Sequence, residues 1–217
     1  MHQRRILLFS ILVLICFFLV AAFRDSLNAL NLTINLWSAS INTGFFTLAA
    51  QTISALFDTT ALIIFSVVLA ILFFVLHYKR YSLLLLVAMA GDALLVTLFK
   101  TIIMSPRPLN GLIVVSGYSF PSGHTTSSVV FFGVLTYFIW KQWGSAKIKA
   151  LTGGIYVSIM AVAGFDRIYL NVHWFSDIVG SIFLGAFWLT FCILLFKYLV
   201  STRRIHGNKS LQPNSTI

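Results

Sequence analysis

Six stretches of mostly apolar residues, at roughly 6–23, 59–77, 82–103, 123–140, 148–165 and 177–197, dominate this 217-residue chain. A helix needs ~20 such residues to cross ~30 Å of hydrocarbon. The expected fold is therefore all-α, an integral membrane bundle of six transmembrane helices. A chain that is 59% hydrophobic and 9% charged lacks the polar side chains to cover a water-facing surface, because soluble domains carry about 25% charged residues. That excludes a soluble globular protein and a disordered one. Arg4-Arg5 and Val20-Ala21-Ala22 give the first stretch the look of a secretory signal. Its apolar core is longer than the ~7–15 residues of such a signal, so an uncleaved anchor is expected. Cys16 and Cys192 both sit inside apolar stretches, which speaks against a disulfide framework and a cysteine metal site.

Basic residues set the orientation. With the N-terminus inside, eleven of the fifteen Lys and Arg fall on the cytoplasmic side: Arg4, Arg5, Lys79, Arg80, Lys141, Lys147, Lys149, Lys197, Arg203, Arg204 and Lys209. Only Arg24, Lys100, Arg107 and Arg167 fall outside. Both termini are thus expected in the cytoplasm, and a net charge of +10 reflects topology rather than nucleic-acid binding. Residues 1–200 read as a single six-span domain and 201–217 as a polar, disordered cytoplasmic tail. Between the first two spans, Leu27, Leu30, Ile34, Trp37, Ile41, Phe45 and Leu48 recur at steps of three and four, with Asn28, Asn31, Asn35, Ser38 and Asn42 on other faces. This predicts an amphipathic extracytoplasmic segment, either a packing lid or a guide for substrate.

The polar residues at the span ends carry the chemistry. Lys100 emerges at the outer end of the third span, and Ser105-Pro106-Arg107-Pro108 then stops the helix. Phe120-Pro121-Ser122-Gly123-His124 opens the fourth span, where the amides of Ser122, Gly123 and His124 at a helix start suit a phosphate. The fifth span delivers Asp166-Arg167. The sixth begins near His173 and Asp177, four residues apart and able to share one face of a turn. Charged groups at membrane depth are costly and usually functional. Three cations where the positive-inside rule disfavours them imply a polyanion, most simply a phosphoryl group. Two histidines supply a nucleophile and a proton donor, and Asp177 can hold one imidazole in its reactive tautomer. Asp92, about two turns below Lys100, is expected to make an interhelical hydrogen bond.

These residues match a known pattern. Lys100, six residues, then Arg107-Pro108 is its first motif. Pro121-Ser122-Gly123-His124 is its second. Arg167, five residues, His173, three residues and Asp177 is its third. Over 100–177 the chain resembles the type 2 phosphatidic acid phosphatases (PAP2 superfamily), integral-membrane lipid phosphatases related to vanadium haloperoxidases. The resemblance implies hydrolysis of a lipid phosphomonoester or diphosphate, of the undecaprenyl diphosphate, phosphatidylglycerol phosphate or phosphatidic acid type, at the extracytoplasmic face of a plasma membrane. It implies His173 as nucleophile forming a phosphohistidine, Asp177 as its support and His124 as the acid for the leaving oxygen. Lys100, Arg107, Ser122, Gly123 and Arg167 would bind the phosphate. The expected partners are the lipid substrate and the bilayer, without nucleic acid, metal or cofactor. One departure stands out: the third motif usually opens Ser-Arg, and here Asp166 precedes Arg167. A carboxylate cannot donate to phosphate, so Asp166 either pairs with a neighbouring cation or turns away. A phosphotransferase with the same covalent step, and a lipid or anion transporter, are the competing readings. A transporter is disfavoured because its site would lie near the midplane, often between repeats.

Overall fold

The computed structural model describes residues 2–209. The first helix, α1 (His2–Phe23), passes through a 3-10 turn at Arg24–Leu27 into α2 (Asn28–Ser40). Helices α3 (Gly44–Leu56), α4 (Thr59–Val75), α5 (Lys79–Ile103), α6 (Gly123–Gln142), α7 (Ala146–Tyr169) and α8 (Phe175–Lys209) follow. A helix stands at each of the six apolar stretches. The described residues contain no strand. α8 continues through the first part of the segment expected to be a polar tail, and 210–217 lie outside the described residues.

By length and composition, four helical segments among the described residues can cross a membrane: Gln3–Ser40, Lys79–Ile103, Ala146–Tyr169 and Phe175–Leu199. A fifth exists if α3 and α4, bent by 46° at their junction, count as one broken span. α6 falls short because its first turns are Gly123, His124, Thr125, Thr126, Ser127 and Ser128. That polarity is tolerated because α6 lies at the centre of the bundle, packed on α4, α5, α7 and α8, with Thr125 through Val130 buried. Hydropathy alone therefore understates this helix.

The outside of the bundle is apolar, and polar residues are turned inward among its apolar core. Leu7, Leu12, Ile64, Val68, Leu94 and Ile155 are exposed, whereas Ser10, Ser66, Ser82, Asp92 and Ser127 are buried. In lipid, apolar burial gives helices little reason to associate, so close packing and interhelical hydrogen bonds carry the interfaces. Ser127 Oγ donates to Asp92 Oδ2 at 2.6 Å, joining α6 to α5 as the sequence predicts. α6 and α8 meet through glycines. A Cβ on Gly133 would stand 2.2 Å from Leu189, and one on Gly185 would stand 2.8 Å from Val129.

The segment after α1 shows the same inversion. α2 turns its polar residues inward: Asn31 Nδ2 donates to Ser176 Oγ at 3.0 Å, and Asn35 Nδ2 to Asn171 Oδ1 at 2.7 Å. Ser38 Oγ donates to the Ile168 carbonyl at 2.9 Å. Leu32, Leu36 and Trp37 face outward. α2 thus braces the end of α7 and the start of α8. The N-terminal end of α1 lies at the far end of the bundle, where Arg4 and Leu7 line one groove with Leu194 and Tyr198.

Candidate active site

Four segments converge at the other end of the bundle. α5 stops at Ile103, Met104 adopts the left-handed conformation (φ 52°), and 105–122 then runs without regular helix. Arg107 organises this loop. Its Nε donates to Gly117 O at 3.0 Å, and its Nη2 to Ser116 O at 3.3 Å and Tyr118 O at 3.1 Å. Its Nη1 donates to Val172 O at 2.8 Å and approaches His173 Nε2 at 3.1 Å. All five guanidinium hydrogens therefore have acceptors. Lys100 Nζ donates to the carbonyl of Tyr118 and, at 3.5 Å, to that of Ser119.

His173 sits just before α8 and is buried. Arg107 has only donors, so the lone pair it meets assigns Nε2 as acceptor and places the ring proton on Nδ1. Nδ1 in turn lies 3.3 Å from Asp177 Oδ2. That oxygen also accepts the Trp174 amide at 2.9 Å and the hydroxyl of Ser119. Asp177 thus closes the first turn of α8 and fixes the tautomer of His173 at once. Burial pushes the His173 imidazole down to about 4; Arg107 and Lys100 act in the same direction and Asp177 in the opposite one. Burial also lowers Arg107 from its ordinary value.

α6 begins at Gly123, with Ser122 as its N-cap, whose Oγ accepts the Thr125 amide at 3.4 Å. Pro121 therefore stands before the cap rather than in the first turn. His124 lies 3.5 Å from Asp58 through Nε2 and is within electrostatic reach of Arg167 and His173. Arg167, only 1% exposed, donates through Nε to Asp166 Oδ2 at 2.9 Å and through Nη2 to the same oxygen. Asp166 thus pairs with a cation, and that cation is its neighbour in sequence. Asp166 Oδ1 and Asp177 Oδ1 are buried without a hydrogen-bond partner among the described residues. An apolar cavity of about 700 Å³ lies between α3 and α7, lined by Ile41, Phe46, Ile53, Phe165 and Tyr169 with Asp166 at its wall.

The sequence profile of the PAP2 superfamily matches residues 81–201. The chain belongs to that superfamily. Its likeness to phosphatidylglycerophosphatase B of Bacillus subtilis (strain 168) is 34% identity over 106 residues, 48% of this chain and 52% of that protein. The chain thus spans about half the length of this curated relative. Among solved structures, the crystal structure of the first transmembrane PAP2 type phosphatidylglycerolphosphate phosphatase from Bacillus subtilis superposes with a TM-score of 0.76. That superposition covers 89% of this chain and 96% of the other, at 24% identity. Aquifex aeolicus LpxE superposes with a TM-score of 0.58 over 78% of this chain and 95% of its own, also at 24% identity. These likenesses carry the fold of a multi-pass membrane protein.

In this PAP2 protein all nine residues singled out from the sequence lie at one end of the bundle. One sequence expectation needs correction. The Ser122 amide is not free for phosphate, because it donates to Ser181 Oγ at 2.6 Å, and Ser181 Oγ donates to the Asp177 carbonyl at 2.6 Å. Ser181, which lies in none of the three motifs, ties the second motif to the third. Sequence reasoning also missed Ser119, wholly buried, whose hydroxyl lies 3.3 Å from His173 Nδ1 while bonding Asp177. Its only sequence signal is its place two residues before Pro121. Asp58, beside His124, carries no motif signal.

Proposed function

We infer that this PAP2 protein is a phosphoric-ester hydrolase acting on a lipid phosphomonoester or diphosphate. The observation that carries the reading is the held imidazole of His173: Nδ1 on Asp177, Nε2 on Arg107, with Lys100 close by. An imidazole fixed in that tautomer presents its unprotonated nitrogen to whatever Arg107 binds. A phosphoryl group brings charged oxygens, which are stronger acceptors than the neutral carbonyls and imidazole now facing Arg107 and Lys100. On binding, Arg107 exchanges His173 Nε2 for a phosphate oxygen and frees that nitrogen for in-line attack. Lys100, Arg107, Arg167, the Ser122 hydroxyl and the amides of Gly123 and His124 hold the phosphoryl oxygens. His173 forms the phosphohistidine, Asp177 supports the imidazolium, and His124 protonates the departing lipid oxygen.

The exposed apolar girdle and the cavity beside Asp166 favour a lipid over a water-soluble ester. The six helices are read as six spans, with α2 and α3 on the site side. The cations at the far end, Arg4 beside α8 and Lys141 and Lys197 flanking the Tyr137 ring, support a cytoplasmic reading of that end by the positive-inside rule. The site then faces outward from a plasma membrane. The names of the similar proteins make phosphatidylglycerol phosphate the first substrate to try. Purified protein should release inorganic phosphate from it in EDTA, and the same assay with undecaprenyl diphosphate and phosphatidic acid ranks the class. Anion flux in vesicles without phosphate release would overturn the reading.

Asp166 yields a second expected result. It occupies two donors of Arg167 that a serine would leave to phosphate. A hydrogen bond to a charged group is worth about 1.5–3 kcal/mol. Asp166→Ser should therefore lower the apparent KM by about tenfold or more and lower the Tm of the empty protein, with phosphate restoring the Tm. An unchanged or higher KM would refute the competition.

A further inference from the structure

The bend between α3 and α4 sets an acidic residue beside the histidine assigned to leaving-group protonation. Asp58 caps α4, its Oδ1 accepting the Thr60 amide at 2.9 Å. Its other oxygen, Oδ2, lies 3.5 Å from His124 Nε2. The backbone of Ser54, in the last turn of α3, lies near the same imidazole. Arg167 on α7 and His173 before α8 act on it electrostatically. His124 thus has a carboxylate directly beside it and positive charge within electrostatic reach. Neighbouring positive charge works against an imidazolium, and a carboxylate works for it. A general acid must carry its proton at the moment the bond breaks.

We propose that Asp58 is the positioning residue that keeps His124 loaded with the proton it delivers to the leaving lipid oxygen. This rests on the hydrolase reading. When the phosphorus–oxygen bond to the lipid breaks, its electron pair goes to the lipid oxygen, and the His124 proton follows. The alcohol departs and His124 is left neutral. In the second half, water attacks phosphorus and gives a proton to His124, and His173 is released as neutral imidazole. That proton transfer restores the imidazolium beside Asp58. The Asp58 side chain is 43% exposed, so the pair also exchanges protons with water.

A helix cap and a charge partner make different demands, and substitution separates them. Asn and Ser cap helices about as well as Asp but carry no charge. The test compares kcat/KM for a dialkylglycerol phosphate, whose alkoxide cannot leave unprotonated, with that for p-nitrophenyl phosphate, whose phenolate can. Intact protein in detergent is used, as wild type, Asp58→Asn, Asp58→Ser and Asp58→Glu. General acids contribute about 10²–10⁴-fold, and a partner acting through one is expected to move the lipid-to-aryl ratio by about tenfold or more. The ratio should fall in both uncharged variants and recover in Asp58→Glu. A ratio that stays at the wild-type value in a folded Asp58→Asn or Asp58→Ser protein would overturn the proposal. Equal loss on both substrates would do the same, since that is the signature of a cap alone. Wild-type protein that releases phosphate from neither substrate would instead overturn the hydrolase reading, and this one with it.

Discussion

His173→Ala is expected to lower phosphate release on the order of 10⁴-fold or more, as removal of a nucleophile does, while the protein remains folded. The structural cost is small because the partners of His173 keep other contacts. Asp177 retains the Trp174 amide and the Ser119 hydroxyl. Arg107 retains four backbone carbonyls. A near-wild-type melting curve with no turnover isolates the chemical role, and retained turnover would remove the assignment. Trapping supplies the positive evidence: labelled substrate should leave acid-labile phosphate on wild type and none on the variant.

The pH profile follows from the same residue. Burial places the imidazole at about 4, so the nucleophilic form persists from neutral pH down to that value. Below it, kcat/KM should fall tenfold per unit, after allowance for the substrate's own ionisation near ~6. A solvent-exposed histidine would lose activity from about 6.5. An enzyme-linked acid limb near that value would contradict the buried site.

The parts of this molecule that were legible from sequence are those where one physical cause dominates. The apolar stretches register as helices because ~20 mostly apolar residues have one economical home. The three motifs were legible because cations stranded on one side of a membrane require an anion. What escaped depends on which way a polar residue points. Asn31, Asn35 and Ser38 read only as lying off the apolar face, and the direction of that face is set by the fold, which turns the polar side of α2 inward to α7 and α8. Ser119 and Ser181 look like ordinary membrane serines until the fold brings both to Asp177. Asp58 reads as one loop acid among five, and only the 46° bend between α3 and α4 sets it beside His124. The Ser122 amide was misassigned because nothing in the local sequence announces a competing acceptor 59 residues away.

Arg167→Ala carries the largest expected structural effect. The guanidinium is buried and is the partner of Asp166, whose Oδ1 already lacks one. Truncation leaves a carboxylate that is 3% exposed without compensation, and breaking such a pair costs about 3–5 kcal/mol. The variant should therefore lose many degrees of Tm, or fail to accumulate, and a folded fraction should turn over about 10²–10³-fold more slowly for want of a donor to the transition state. The two losses have different origins, and the double variant Asp166→Asn with Arg167→Ala separates them. Neutralising the stranded carboxylate should recover most of the Tm, since a buried pair removed together costs far less than one member removed alone. Turnover should stay low, because Asn cannot replace the positive charge. Arg167→Lys should fall between, keeping the charge but not the planar fork that grips Asp166. If the double variant regained turnover along with stability, Arg167 would be a structural partner of Asp166 and not part of the phosphate site.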